Sequence, residues 1–383
     1  MKRKRILWAG NNIAGHYQFL HDEFCRIGIK SHITHVSHKF NYSQSYKEKS
    51  KIIKIYLYIT KQRQSSSRLN RYLSRIFLNI YFFLIFLPWI ALNIDVIFYC
   101  VGKTLSEFDL LELIIIKFLR KKIVFTFHGS DVRPPYISAT SFMSNKPNES
   151  TLLYLNKTTK SILKIVKRAE IFADEILVSP SASAFFKRKV VNISLLGNPI
   201  NEKNITIKNS FKVSSKITKT IKILHSPSHA STKGTYEIEK MIDKLKLMGY
   251  SIDYSVIKNK SNKTVLKALT KTDIVIDSLW NESPAGTFPA EAAFCGKPVL
   301  IGSYFASSKY SVYTDNIHIP PYCFVTPDKF FNELTKLVSD SSYRNKKGRE
   351  LLNYMKKYKT LNSIANEYLK LADSKLKKEF YYF

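Results

Sequence analysis

Three short stretches of this 383-residue chain carry residue types that could do chemistry. In KKIVFTFHGSDVR, His128 ends an apolar run and is followed by a glycine turn, Asp131 and Arg133. An imidazole and a carboxylate at a strand end can hold hydroxyls or move protons, although a histidine there is often purely structural. In HSPSHASTKGT, Lys233 and Gly234 stand just before a helical stretch. A lysine at a helix start opposes the helix dipole unless an anion is bound, when backbone N–H groups and the ammonium hold it jointly. The alternative is a solvated surface lysine. In NESPAGTFPAEAAFCGKPVL, a loop with Gly286 and Thr287 runs into a short apolar helix containing Glu291. Pro289 suits its first turn and Gly296 its C-cap, which puts Glu291 in the first turn. The dipole stabilises a carboxylate there by about 0.3–1 kcal/mol, enough for an exposed glutamate. Among Ala290, Ala292, Ala293 and Phe294 an ionised group also needs hydrogen-bond donors, and a sugar diol would supply two.

The elements that must position these residues alternate. RILWAG (5–10), SHITHVS (31–37), DVIFYCVG (95–102), the run ending at His128, EILVSP (175–180) and NISLLGNP (192–199) read as strands, with helices predicted near 15–27 and 110–120. Residues 200–219 are polar, lysine-rich and without a clear period, as expected of a junction. The rhythm restarts with strands at 221–228, 250–257, 273–279 and 299–304 and helices at 235–248 and 261–270. From about 327 the pattern is helical and basic to the end. Short apolar strands separated by helices predict parallel sheets covered on both faces, with ligands beyond the carboxyl ends of the strands. The fold class expected is α/β, with a first domain over 1–200, a second over 201–360 and a terminal basic helix over 361–383.

With 45% hydrophobic and 13% aromatic residues the chain is a folded protein, and at +32 a very basic one. Such a charge fits an anionic membrane surface, nucleic acid, or a lysine-rich composition alone. Nucleic-acid binding would need aromatics interleaved with the basic clusters, whereas here many gather in one apolar block at 77–89. Residues 76–94 carry no charge and would make a helix about 28 Å long, the lower limit for a membrane span. Pro88, Asn79 and Asn93 weigh against a span, as does the expectation that strands before and after it share one sheet. Upstream, residues 39–75 hold ten Lys or Arg and only Glu48 as an acid. Arg68, Arg71 and Arg75 share one helical face, with Leu69, Tyr72, Leu73 and Ile76 on the other. A basic stripe running into an aromatic-rich apolar segment, about 61–94 in all, fits a helix lying in the membrane interface. Cys25, Cys100, Cys295 and Cys323 form no CxxC pair, so neither a metal site nor a disulfide framework is expected, and a reducing cytoplasm fits. The basic start MKRKRILWAG reads as a first strand and not as a signal peptide.

Taken together, the motifs resemble those of the GT-B glycosyltransferases, in particular the family 4 type of bacterial surface-polysaccharide biosynthesis. AGNNIAG resembles the family's glycine-bearing first loop, FHGSDVR its histidine turn and LLGNPIN the segment entering the second domain. HSPSHASTKGT is similar to its phosphate-binding lysine loop and GTFPAEAAFCGKPV to its glutamate helix. The resemblance covers most of the chain and implies a GT-B fold, two Rossmann-like parallel-sheet domains facing a central cleft. It implies a retaining, metal-independent sugar transferase of hexosyltransferase type, without cofactor, using a UDP- or GDP-linked sugar. His128 and Asp131 would serve at the transferred sugar. Gly15, Lys233, Gly234, Glu282, Gly286, Thr287 and Glu291 would bind the donor, Lys233 at its diphosphate and Glu291 at its ribose hydroxyls. The acceptor implied is a glycan or lipid-linked glycan, at the inner face of the plasma membrane, with no nucleic acid as partner. Two positions depart from the family pattern. Ser283 stands eight residues before Glu291, where a glutamate is usual, while Glu282 stands nine before it; His229 and Ala230 occupy the place of an arginine. Competing readings are a GT-B nucleotide-sugar epimerase and a non-catalytic sugar-binding member.

Overall fold

A computed structural model describes residues 4–34, 50–63, 67–128, 131–135, 149–205, 220–281, 286–303 and 320–382. The chain divides into two compact units, Met1–Pro134 with Tyr154–Ile193 and Ala365–Phe383, and Pro135–Leu153 with Ser194–Ile364.

In the first unit, strands β1 (Ile6–Gly10), β2 (Ser31–Ile33), β3 (Val96–Cys100), β4 (Lys122–Thr126), β5 (Glu175–Val178) and β6 (Val190–Asn192) form a parallel sheet in the order β6-β5-β4-β3-β1-β2. Ile6 is in register with Val96 and Val96 with Lys122. The order reverses at β1, so the crevice between the carboxyl ends of β1 and β3 is the topological switch point where such sheets take ligands. β1, β3 and β4 are buried almost throughout, which explains their unbroken apolar runs. Trp8 stacks on Phe98 with centroids 4.3 Å apart, and Tyr368 of the helix Leu361–Ala372 packs against both.

Two readings of the sequence are corrected here. The strand expected at 192–199 is Val190–Asn192, and Ile193–Leu196 is a helical turn; so short a mostly apolar run fits either state, and periodicity cannot separate them. The helical pattern expected to run to the C-terminus ends at Ala372, because Tyr381–Tyr382 pairs antiparallel with β6 as an edge strand.

The apolar segment is a helix over Arg68–Asn93 whose stretch Phe82–Phe86 is a π turn. Pro88 has no N–H and its ring would meet the carbonyl of residue 84 in a regular helix; in the π turn Leu87 N–H bonds to the Phe82 carbonyl instead. Leu78, Phe82, Phe86 and Ile90 are buried in the core below the sheet. A four-residue spacing drifts about 40° per step at 100° per residue, and the wider π turn keeps all four on one face. This helix enters the chain between β2 and β3, yet β1 and β3 pair directly. A bilayer-spanning helix would separate those strands.

In the second unit, β7 (Ile221–His225), β8 (Ile252–Val256), β9 (Ile274–Ser278), β10 (Val299–Gly302) and β11 (Cys323–Val325) form a parallel sheet ordered β8-β7-β9-β10-β11. β9 lies at its centre and is wholly buried, whereas β8 at the edge alternates between half-buried and exposed residues. The switch point falls between β7 and β9, beside the stretches that hold Lys233 and Glu291.

Candidate active site

At the carboxyl edge of the first sheet, the loop after β1 ends with Gly15 at φ 77°, the left-handed N-cap of the helix His16–Arg26. Glycine takes this conformation without strain. The Asn12 side-chain oxygen accepts from the Tyr17 N–H at 3.0 Å, capping that helix from outside. The helix start thereby carries His16 and Tyr17 to His128, the His16 and His128 rings lying 5.9 Å apart. Tyr17 Oη is 2.8 Å from His128 Nε2 and 2.6 Å from Thr126 Oγ1. Burial lowers the His128 pKa to about 4, so the ring is neutral at physiological pH and offers a hydrogen bond, not a charge. Among the described residues its Nδ1 has no partner.

Asp131 meets the His128 backbone, not its ring. The His128 N–H donates to Asp131 Oδ2 at 2.7 Å and the Asp131 N–H returns to the His128 carbonyl at 3.3 Å. Burial pushes the Asp131 carboxyl up to about 6, against the opposing pull of the His128 N–H and the Lys103 charge. Asp131 is therefore bonded to the His128 backbone, and the His128 ring is held by Tyr17.

In the second unit, Gly234 is the left-handed N-cap (φ 70°) of the helix Thr235–Leu247. A Cβ there would lie 2.7 Å from the Leu279 Cβ, so glycine is required by space as well as by backbone. The Lys233 ammonium sits 3.1 Å from both oxygens of Asp277, whose other contact is the Asn281 amide at 3.0 Å. Lys233 is thus held at the end of β9, partly accessible, with its charge shared by a buried carboxylate. His225 is structural: it is fully buried between the Ile276 carbonyl and the Thr235 hydroxyl, both at 3.0 Å, and burial lowers its pKa to about 4.

Glu291 lies deeper in its helix than expected. The helix Thr287–Phe294 starts two residues before Pro289, which sits at the third position, where N–H groups still lack helical acceptors. Glu291 is the fifth residue, in the second turn, where the dipole has largely faded. Burial to 4% exposure pushes its carboxyl up to about 8, and the Asn262 amide, donating to Oε1 at 2.7 Å, opposes that shift. Asn262 opens the helix after β8, so this bond joins that helix to the one after β9. Gly286 is the N-cap in extended backbone with nothing within 4 Å of a Cβ, and Thr287 opens the helix. Glu282, with Ser283, lies outside the described residues.

Asp277, Asn262, Tyr17 and Lys103 were not singled out from the sequence. Only Asp277 left a signal there: an acid inside the apolar strand DIVIDSL must be paired or hydrogen-bonded when buried. Among the described residues, no three His, Cys, Asp or Glu side chains converge to hold a metal ion, and all four cysteines are free.

Two Rossmann-like parallel sheets in one chain are the architecture of the GT-B fold. No protein-family model and no curated protein matches the sequence. Solved structures do. The chain is similar to Anabaena Alr3699/HepE in complex with UDP-glucose (TM-score 0.54, 12% identity, 97% of this chain and 100% of that one). The same protein with UDP and glucose gives a TM-score of 0.53 at 13% identity, again over 97% and 100% of the chains. At such identities the likeness shows the fold.

Proposed function

We propose that this chain is a glycosyltransferase that moves a sugar from a UDP- or GDP-linked donor to a glycan or lipid-linked acceptor, with retention and without a metal ion. The observation that carries the reading is in the second unit. Lys233, presented from a glycine-capped loop, and Glu291, buried with one amide donor, lie along one carboxyl edge of one sheet. An ammonium beside a helix N-terminus suits a diphosphate, and a buried carboxylate short of donors suits a diol. The fold likeness to a protein whose structures hold UDP-glucose supports a nucleotide-sugar donor.

In this reading Lys233 and the N–H groups opening Thr235–Leu247 stabilise negative charge as the nucleoside diphosphate departs. Glu291 anchors the ribose, which fixes the donor's register. Neutral His128 gives the sugar a hydrogen bond, and Asp131 holds the histidine turn. The acceptor sits at an anionic membrane surface on the cytoplasmic face, for glycan assembly. Supporting this, Leu69, Tyr72 and Leu84 are exposed by 63, 64 and 72% on a helix that also carries Arg68, Arg71 and Arg75.

The test is a thermal-shift screen with UDP-, GDP-, ADP- and CMP-linked sugars on the full chain and on Glu291→Ala, followed by product analysis with the sugar that binds. A nucleotide-dependent shift lost in Glu291→Ala, with sugar transferred to an acceptor, is the expected result. Release of free epimerised sugar, or binding without turnover, would replace transfer by the epimerase or the binding-only reading.

A further inference from the structure

Tyr17 lies in the first turn of the helix His16–Arg26, and its place there is fixed. Asn12 accepts from its backbone N–H at 3.0 Å, its ring stacks on Trp8 with centroids 5.4 Å apart, and the residue is 1% exposed. Burial also keeps the phenol protonated, because a phenolate would be poorly solvated. Its one oxygen meets two neighbours, Thr126 Oγ1 at 2.6 Å and His128 Nε2 at 2.8 Å. Thr126 alone would satisfy a buried phenol. The second contact therefore bears on the histidine. That ring is half-buried, with Nε2 on Tyr17 and Nδ1 without a partner among the described residues.

A phenol has one proton to give, so the row Thr126–Tyr17–His128 can run in two directions. In one, Thr126 donates to Tyr17 and Tyr17 donates to His128 Nε2, which leaves the proton of the neutral ring on Nδ1. In the other, the Nε2–H donates to Tyr17, Tyr17 donates to Thr126, and Nδ1 is a bare acceptor. The first direction is the stronger. A phenol is a better donor than an aliphatic hydroxyl, and a neutral imidazole nitrogen is a better acceptor than a hydroxyl oxygen, so the best donor meets the best acceptor. Cys100 lies beside both Thr126 and Tyr17 and does not alter this. Its S–H turns to the Phe98 carbonyl at 3.6 Å, and sulfur is a weak acceptor.

We propose that Tyr17 is a positioning residue: by donating to Nε2 it locks His128 in the tautomer protonated at Nδ1, so that the histidine turn presents an N–H to a ligand. Only a ligand atom with a free lone pair can answer it. A hydroxyl, carbonyl or carboxylate oxygen meets that requirement, and an ammonium group does not. That the oxygen belongs to the transferred sugar rests on the transferase reading above; the tautomer does not.

The experiment is nitrogen-15 NMR at neutral pH on the full chain labelled in its histidine rings, where the protonated and bare nitrogens of an imidazole resonate far apart. Among the nine histidines, the His128 signals are those missing from His128→Gln. The parent is expected to show Nδ1 protonated in at least about fivefold excess, the worth of one net hydrogen bond. In Tyr17→Phe, which keeps an aromatic ring against Trp8, that excess should fall toward parity. Thr126→Val should leave it in place, because the phenol already points its proton at the histidine. Circular dichroism checks that both variants fold; if Tyr17→Phe does not, the parent and Thr126→Val still decide the direction of the row. A Tyr17 that only packs would leave the tautomer unchanged in Tyr17→Phe. That result, a parent protonated at Nε2, or a reversal in Thr126→Val would each overturn the proposal. UDP-glucose or GDP-glucose, whichever binds in the thermal-shift screen, is expected to move the Nδ1 signal of the parent. An unmoved signal with the expected tautomer would remove the sugar contact and not the role of Tyr17, so the two failures are separable.

Discussion

Glu291 and Lys233 are the residues whose chemistry is most exposed to test. Burial raises the Glu291 carboxyl from its ordinary 4.5 to about 8. Between those values the folded chain keeps a proton that the unfolded chain has released, so this group's contribution to stability falls as pH rises from about 4.5 to 8. Glu291→Gln should therefore become more stable relative to the parent across that window, by a few kcal/mol at its upper end, as read from urea midpoints at pH 5 and pH 8. The same shift bears on the donor. Hydroxyls that donate to the carboxylate favour its ionised form, so UDP should bind more tightly as pH rises, levelling off above about 8. Calorimetry in two buffers of different ionisation enthalpy should detect the released proton in the parent and none in Glu291→Gln. For Lys233, replacement by Met leaves the Asp277 carboxylate, 5% exposed, with only the Asn281 amide. Breaking a buried pair costs about 3 kcal/mol or more. Lys233→Met with Asp277→Asn should recover most of that stability and still not bind UDP; recovered binding would show that the ammonium holds Asp277 and no phosphate.

At the scale of elements, the helix Arg68–Asn93 has three faces where its sequence suggested two. Arg68 and Arg75 are exposed, Leu69, Tyr72 and Leu73 are exposed as well, and a third stripe through Ser74, Leu78 and Tyr81 is buried. An apolar face turned to solvent beside basic residues fits a membrane interface, where each Lys or Arg near an anionic surface contributes about 1 kcal/mol. Arg68→Gln with Arg71→Gln should then weaken cosedimentation with vesicles containing anionic lipid roughly 30-fold at low salt. Undiminished partition would locate attachment elsewhere. The third face did not stand out in the sequence: Ser74, Leu78 and Tyr81 follow ordinary helical spacing but lie among other apolar residues, and only the π turn carries the stripe on to Phe86 and Ile90. The strands, by contrast, were legible: β1 and β3 are continuous apolar runs, and the apolar stretches of β7 and β9 are broken only by Lys222 and Asp277 before their polar ends, because both faces of each sheet are covered. The long helix Glu149–Phe172 and the short strands β11 and Tyr381–Tyr382 left too weak a pattern. At the candidate site His128 and Glu291 stood out because each closes or interrupts an apolar segment, and Lys233 because it stands with Gly234 at a helix start. Asn262 and Tyr17 did not, since their importance comes from which loop folds next to them.

At the scale of the whole molecule, the first unit is made from both ends of the chain. The helix Leu361–Ala372 brings Tyr368, 1% exposed, against Trp8 and Phe98 with centroids 5.9 and 6.0 Å away, and Tyr381 extends the sheet at β6. Lys122 Nζ also reaches Ser374 Oγ at 2.8 Å. The second unit is closed between these segments with a core of its own, around Leu224, Val275 and Ile301 and around Ile238, Ile276 and Leu334. The two units should therefore respond separately to changes in each. Tyr368→Ala removes a large buried side chain, which costs about 3 kcal/mol or more. For a unit of this size that lowers the melting temperature by roughly 6–12 °C. Scanning calorimetry should show the transition of the first unit moving down by that amount while the transition of the second stays in place. Addition of UDP at a hundredfold excess over its dissociation constant should raise the second transition, by about 2.7 kcal/mol of added stability, in the parent and in Tyr368→Ala alike. If Tyr368→Ala also abolished the UDP response, donor binding would depend on the first unit, and the assignment of Lys233 and Glu291 as a self-sufficient donor site would have to be given up.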